Sequence, residues 1–155
     1  MGKKLWFTKI TISLVLLFFQ LQLAGQVDSV TPSGGDLRIY FQGLRNNRGV
    51  VLLSIFSTAT GYPADVKKAF LKYRIIVKQL QLPFIVKNLK PGNYAIALLH
   101  DEDENGKMLT SMFGLPKEGY GFSNNVMGLT GPPSFHKASF SVPSNGTTIT
   151  IKVKY

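Results

Sequence analysis

An acidic run near the middle of the chain has the residue types and spacing of a calcium loop. It reads Asp101-Glu102-Asp103-Glu104-Asn105-Gly106. In a D-x-D-x-N-G loop the alternate side chains, here Asp101, Asp103 and Asn105, present oxygen atoms to one centre, and the glycine permits a sharp turn. A complete loop also needs an acid at its twelfth position, where this chain has Met112. The run therefore predicts at best a weak calcium site, with affinity no better than millimolar.

Two alternatives stay open for this run. A remote acid, Glu118, could supply the missing ligand. Otherwise the run is simply the tip of an acidic β-hairpin, in which Asn105-Gly106 forms a type I′ turn.

The two histidines, His100 and His136, could bind a transition metal together with Asp101 or Glu118. No two of these candidates have the spacing of a zinc finger or a metalloprotease, and we expect His100 to be a hydrogen-bonded, half-buried imidazole at a strand end. The chain has no cysteine, no G-x-S-x-G and no H-E-x-x-H motif. A metal-dependent module or hydrolase remains the alternative function class, and it would use His100, Asp101, Asp103 and Glu118.

A second cluster combines aromatic and amide side chains between glycines. It comprises Tyr120, Phe122, Asn124 and Asn125, with Gly119 and Gly121 interleaved. Aromatic faces and amide groups suit a shallow platform that binds a peptide or a glycan. The alternative is a loop folded over the end of a β-sandwich, with Phe122 in the core and the two glycines at positive φ.

The N-terminus has the pattern of a secretory signal peptide. Three lysines precede an apolar stretch, and Leu23-Ala24-Gly25 provides small residues for cleavage. We predict a cleaved signal peptide at residues 1–25, a flexible mature segment at 26–35 and one domain at 36–155. Since Gln26 follows and the chain lacks cysteine, we predict a periplasmic or extracellular protein that is not a lipoprotein and has no disulfides.

The chain is basic, with a formal net charge of +10. The leader contains three lysines and no acid, so its removal lowers this charge to +7. The basic residues are scattered rather than gathered in one stripe, which favours a solvated surface over an anionic partner. Together with export, this predicts no role in nucleic-acid binding.

Most of the mature sequence alternates between apolar and polar residues, as half-buried β-strands do. We predict strands at residues 37–42, 50–56, 73–77, 82–86, 94–99, 108–113, 138–142 and 148–155. The first two form a predicted hairpin, and residues 62–71 are the one helix candidate. About eight short strands and one short helix predict an all-β fold, an antiparallel Greek-key β-sandwich of the Ig-like or transthyretin-like kind.

The turn before residues 94–99 has a mechanical interpretation. Pro91-Gly92 allows a tight corner, and Tyr94 just after it can place its ring in the core while its hydroxyl bonds the corner's backbone. Such a tyrosine corner is typical of Greek-key sandwiches.

Several of these motifs together resemble domain-of-unknown-function family 2141, a group of small exported bacterial proteins. The resemblance runs from about residue 36 to residue 155 and rests on segments 89–97, 100–107, 114–125 and 131–135. It implies export and a β-sandwich, and it carries over no catalytic residue. It also suggests an Asp where this chain has Leu109, which implies that this member has lost one candidate ligand of the loop.

We therefore expect a non-catalytic exported module with no transmembrane segment after cleavage and no cofactor beyond weakly bound calcium. It would present an acidic hairpin and a Gly/aromatic/Asn loop to a peptide, protein or glycan. The predicted binding residues are His100, Asp101, Asp103, Asn105, Glu118, Tyr120, Phe122, Asn124 and Asn125.

Overall fold

The computed structural model describes residues 34–155 of the 155-residue chain. The predicted signal peptide and most of the predicted flexible segment lie outside the described residues. Between residues 34 and 155, no helix is both long enough and apolar enough to span a bilayer.

Eight strands account for most of the regular structure in these residues. They are β1 Gly35–Gln42, β2 Val50–Phe56, β3 Leu71–Ile76, β4 Phe84–Leu89, β5 Gly92–Asp101, β6 Gly119–Phe122, β7 Phe140–Val142 and β8 Thr147–Lys152. One short α-helix, α1, spans Phe135–Ala138. Three 3₁₀ turns complete the elements, at Val66–Lys68, Val77–Gln79 and Ser123–Asn125.

The strands form two sheets. The smaller sheet has the order β4-β1-β8, and the larger has the order β3-β2-β5-β6, with β7 also paired to β5. The described strand pairs are antiparallel, except that β1 and β8 run parallel. Apolar residues of both sheets make one core, among them Leu37, Ile39, Leu53, Ile55 and Ile96. The predicted all-β sandwich with eight strands and one short helix is confirmed.

Strand β5 is the central element of the larger sheet, as its apolar residues on both faces predict. It is ten residues long and is flanked by β2 and β6, so both edges are hydrogen-bonded. Its last residues, His100 and Asp101, are buried. The strand thus carries two of the predicted site residues into a rigid position.

The predicted hairpin of the first two strands is wrong. β1 pairs with β4 and β8, whereas β2 pairs with β3 and β5 in the other sheet. Residues 43–49 therefore cross between sheets, with Gly43 and Gly49 at positive φ. Alternation identifies a strand but does not specify its neighbour, because partners are selected by packing of the whole core.

Two further predicted elements are wrong. Residues 62–71 contain only the 3₁₀ turn Val66–Lys68, because Leu71 instead pairs with Ile55 and begins β3. Residues 108–113 form no strand, and only an isolated bridge between Thr110 and Pro116 joins this segment to the chain that returns. Asn105 is not among the described residues with positive φ, so the predicted type I′ turn is also wrong.

The predicted tyrosine corner is confirmed. The Tyr94 ring is buried, and its hydroxyl donates to the carbonyl oxygen of Lys90 at 2.8 Å. The corner fixes the start of β5.

We expect Tyr94→Phe to lower the free energy of unfolding by about 1 kcal/mol, because one hydrogen bond is lost. Tyr94→Ala should cost about 3 kcal/mol or more, since it also leaves a cavity. Urea denaturation of both variants measures this. A Tyr94→Ala variant as stable as the wild type would contradict the corner.

Candidate functional site

The end of β5 and the start of β6 bring the predicted acidic ligands together. His100 pairs with Gly119, so Asp101 and Glu118 leave the sheet side by side, although 17 residues separate them in sequence. Asp101, Asp103 and Glu118 each offer a carboxylate oxygen, and these three oxygens lie within 4.8 Å of one another. It is the single group of three or more potential metal ligands among residues 34–155. Neither histidine belongs to it.

The acidic run wraps around Asp101. Its two carboxylate oxygens accept the backbone N–H groups of Asn105, at 3.2 Å, and Gly106, at 2.8 Å. Asp103 accepts from the Asn105 backbone at 3.2 Å and from its side-chain amide at 2.7 Å. Gly106 has a positive φ, as the sharp turn requires. The run is thus an ordered loop folded around its first carboxylate.

Glu118 closes this loop from the other end. It is buried, and its two oxygens accept the backbone N–H groups of Glu102, at 2.8 Å, and Leu109, at 2.9 Å. The Glu118 carboxylate therefore links the backbone at Glu102 to the backbone at Leu109. The missing acid of the twelfth position has a spatial counterpart six residues later in the chain.

The electrostatics of Asp101 favour a cation. Burial raises the pKa of Asp101 most, and the neighbouring Asp103 and Glu118 carboxylates raise it further, against the lowering effect of the Gly106 N–H. Like charges held this close destabilise one another. A divalent cation between the three carboxylates would remove this repulsion.

Two arginines lie beside the loop and neutralise Glu102. Arg45 and Arg48 bind the Glu102 carboxylate at 2.6 Å and 3.1 Å, and Asn46 donates to it at 3.1 Å. Burial opposes ionisation, but the hydrogen bonds from Arg45 and Asn46 lower the pKa of Glu102 on balance. The guanidinium of Arg45 also stacks over the Tyr155 ring at 4.3 Å.

A shallow cavity of about 230 Å³ opens beside the carboxylates. Its lining is mostly charged, and it comprises Arg45, Arg48, Glu102, Asp103, Leu109, Lys117 and Glu118. Pockets that enclose small organic ligands are larger and predominantly apolar. This cavity is smaller and more charged than such pockets.

His100 has a structural role in the fold. The imidazole is hydrogen-bonded at a strand end as predicted, but it is fully buried rather than half-buried. Its Nε2 lies 2.9 Å from the Arg48 carbonyl oxygen and its Nδ1 lies 2.6 Å from the Tyr155 hydroxyl. A carbonyl only accepts, so Nε2 donates, and both nitrogens are engaged. The Tyr155 hydroxyl also accepts from the Arg45 backbone at 3.0 Å. The imidazole therefore links the Tyr155 side chain to the backbone at Arg48.

The aromatic residues of the second cluster pack inward along β6. Phe122 is buried, as the alternative predicted, and its ring lies 6.0 Å from that of Tyr120, which is half-buried. Gly119 and Gly121 are not among the described glycines with positive φ, so that expectation is wrong. A Cβ at Gly119 would lie 2.6 Å from the Tyr155 ring, which shows that close packing requires this glycine.

The amides of Asn124 and Asn125 bond to the protein's own backbone. Asn124 Nδ2 donates to the carbonyl of Ser139 at 2.8 Å. Asn125 accepts from the Lys152 N–H at 2.7 Å and donates to Thr150 at 3.1 Å. Both asparagines follow β6, whereas Glu118 precedes it, so the asparagines and the acidic loop lie at opposite ends of this strand.

Sequence reasoning missed the residues that support the loop. Arg45, Glu102 and Tyr155 are 57 to 110 residues apart where they bond, so no local spacing connects them. Of these three residues, only Glu102 could be noticed from the sequence, because it directly follows Asp101.

Comparison with known protein families supplies one match. Residues 39–150 match a family described as an uncharacterized protein conserved in bacteria, DUF2141. The chain belongs to this family. The DUF2141 match begins within β1 and ends within β8, so it includes the whole carboxylate loop. Searches of the curated proteins and of the solved structures found no significant match.

Proposed function

We propose that this chain is an exported, non-catalytic binding module whose 101–118 loop binds Ca²⁺. The convergence of three carboxylates within 4.8 Å carries this proposal. The donor set is all oxygen, from Asp101, Asp103 and Glu118, and hard oxygen donors suit calcium or magnesium rather than zinc. Each carboxylate oxygen that accepts an N–H keeps a second lone pair for a metal.

The geometry favours calcium over magnesium. Asp101 and Glu118 are held by backbone hydrogen bonds at positions set by β5 and β6, and the remaining ligands come from a loop. Calcium accepts six to eight oxygens in irregular arrangements, whereas magnesium requires a near-ideal octahedron. Water would complete the shell through the open cavity. Three carboxylates without a twelfth-position acid support millimolar affinity.

The engagement of His100 supports a non-catalytic role. Both of its nitrogens are bonded within the fold, so the His100 imidazole is not available as a base for the carboxylate cluster. The sequence-based expectations of export and of a peptide or glycan partner stay predictions.

Calcium is expected to raise the melting temperature. At tenfold excess over a millimolar dissociation constant, binding adds about 1.4 kcal/mol, or roughly 5 °C for a domain of this size. Thermal shift with 10 mM CaCl₂ against EDTA measures this, with MgCl₂ and NaCl at equal ionic strength as controls. A melting temperature that follows ionic strength alone would contradict the proposal. Saturation at micromolar calcium would instead show that the affinity is much tighter than three carboxylate ligands can give.

A further inference from the structure

The connection between the carboxylate loop and β6 ends in an apolar protrusion. We call residues 109–117 the tip loop. Its chain folds back on itself: Lys117 N–H donates to the Leu109 carbonyl at 2.8 Å, and Ser111 N–H donates to the Leu115 carbonyl at 2.8 Å. Gly114 N–H closes the turn onto Ser111 at 2.9 Å, with Gly114 at positive φ. The tip loop is therefore ordered by its own backbone.

The side chains at this turn are large, apolar and exposed. Met112 is 101% exposed, Phe113 is 90% exposed and Leu115 is 65% exposed. None of the three belongs to the hydrophobic core or packs against it. Polar residues would satisfy the same turn, and apolar surface in water carries a free-energy cost. Three large apolar side chains exposed on one turn indicate contact with something outside the domain.

The charges around the tip loop indicate what that contact is. Lys107 lies just before the tip loop and Lys117 is its last residue. Both lysines are exposed and make no ion pair with the part of the chain that is described. The neighbouring acids are already compensated: Glu102 binds two arginines and Glu104 binds Arg74. Asp101 and Glu118 are buried. The accessible charge beside the apolar turn is thus mainly that of two lysines, with Asp103 as its counterpart.

We propose that the tip loop inserts into the surface of a bilayer that contains anionic phospholipids. Met112, Phe113 and Leu115 would enter the boundary between headgroups and acyl chains, and Lys107 and Lys117 would lie at the level of the phosphates. A convex apolar turn with lysines at its base matches this interface. Calcium at the carboxylates would neutralise Asp103 and strengthen the attraction, and this dependence alone rests on the proposed function.

Vesicle sedimentation of the exported form of the protein tests the proposal. Phosphatidylcholine vesicles are compared with vesicles that also contain phosphatidylglycerol, each in calcium and in EDTA. We expect binding to the anionic vesicles, strengthened by calcium. The double variant Met112→Ser/Phe113→Ser should weaken the partition coefficient by about tenfold to a hundredfold, because two apolar side chains no longer enter the bilayer. Lys107→Gln/Lys117→Gln should reduce the preference for anionic lipid.

Leu129→Ser is the matched control, because Leu129 is 105% exposed but lies on a different loop. It should bind as the wild type does. All variants should keep the wild-type melting temperature, since the changed side chains are exposed. Equal loss of binding in Leu129→Ser and in the double variant would show unspecific adsorption and overturn the proposal.

A fluorescence probe locates the contact. The one tryptophan, Trp6, lies in the predicted leader, so Phe113→Trp places a single reporter at the tip of the cleaved protein. Its emission should shift to the blue and be quenched by brominated lipid. An unshifted emission, or capture of a peptide or glycan by the tip loop without vesicle binding, would overturn lipid insertion.

The two proposals fail separately. Vesicle binding in EDTA that depends on Phe113, without any calcium-induced rise in melting temperature, would overturn the calcium site and leave lipid insertion standing. A calcium-induced rise without vesicle binding would do the reverse.

Discussion

Glu118→Gln is expected to abolish the calcium-induced rise in melting temperature and to loosen the whole 101–118 loop. The carboxylate accepts two backbone N–H groups, and an amide has one oxygen to offer. Its NH₂ group would instead face a donor in a buried position. Without calcium we expect the free energy of unfolding to fall by about 2 kcal/mol, partly offset by relief of the repulsion with Asp101.

Glu104→Gln is the control for this variant. Glu104 lies in the same loop, but it is exposed and pairs with Arg74 away from the converging oxygens. Its replacement should change stability by less than about 1 kcal/mol and leave the calcium response intact. Denaturant melts and thermal shifts of both variants measure these effects. A calcium response that survives Glu118→Gln would show that the metal, if bound, lies elsewhere.

Near the site, Gly49→Ala is expected to lower the free energy of unfolding more than any other Gly→Ala substitution. Gly49 has φ +64°, and an added Cβ would lie 2.1 Å from the carbonyl oxygen of Asp101. The obstacle is backbone at the end of β5, where it cannot move without displacing Asp101 itself. We expect a loss of about 3 kcal/mol or more and weaker calcium binding.

Gly114→Ala separates the steric cost from the cost of positive φ. Gly114 has φ +74°, but a Cβ there would meet no atom within 4 Å. Only the conformational penalty of about 1 kcal/mol applies. Urea denaturation of the pair gives the difference directly. Equal destabilisation by the two substitutions would show that close packing of Gly49 against the Asp101 backbone does not contribute to stability.

The strands could be predicted wherever one face is buried and local alternation is strong. Leu37, Ile39 and Phe41 of β1 and the doubly apolar β5 are such cases. The pairing of β1 with β4 and β8 could not be predicted, because alternation is the same whichever strand lies alongside. The tyrosine corner was predictable, since its hydrogen bond spans only four residues.

The tip loop shows why apolar residues can mislead. The sequence predicted a strand at Met112 and Phe113, because strand prediction from apolar patterns assumes that apolar side chains face a core. Here they face outward on a tight turn, which Gly114 makes possible. The sequence pattern reports that a residue is apolar but does not report what it packs against.

The candidate site was predictable in part. The D-x-D-x-N-G spacing identified Asp101 and Asp103, and Glu118 was an open alternative from the sequence. The structure places Glu118 beside these two acids because β5 and β6 are antiparallel neighbours. The asparagines after β6 were less predictable. Amide groups form hydrogen bonds with any polar partner, and those of Asn124 and Asn125 bond the domain's own backbone.

A calcium titration followed by backbone amide NMR tests the central claim most directly. The amides of Glu102, Asn105, Gly106 and Leu109 donate to the three carboxylates, so they report on those oxygens. We predict that these four resonances shift together, saturate with one millimolar dissociation constant, and stay unshifted in Asp101→Asn. Shifts spread over other acidic residues, or no saturable shift at these four amides, would contradict a calcium site in the 101–118 loop.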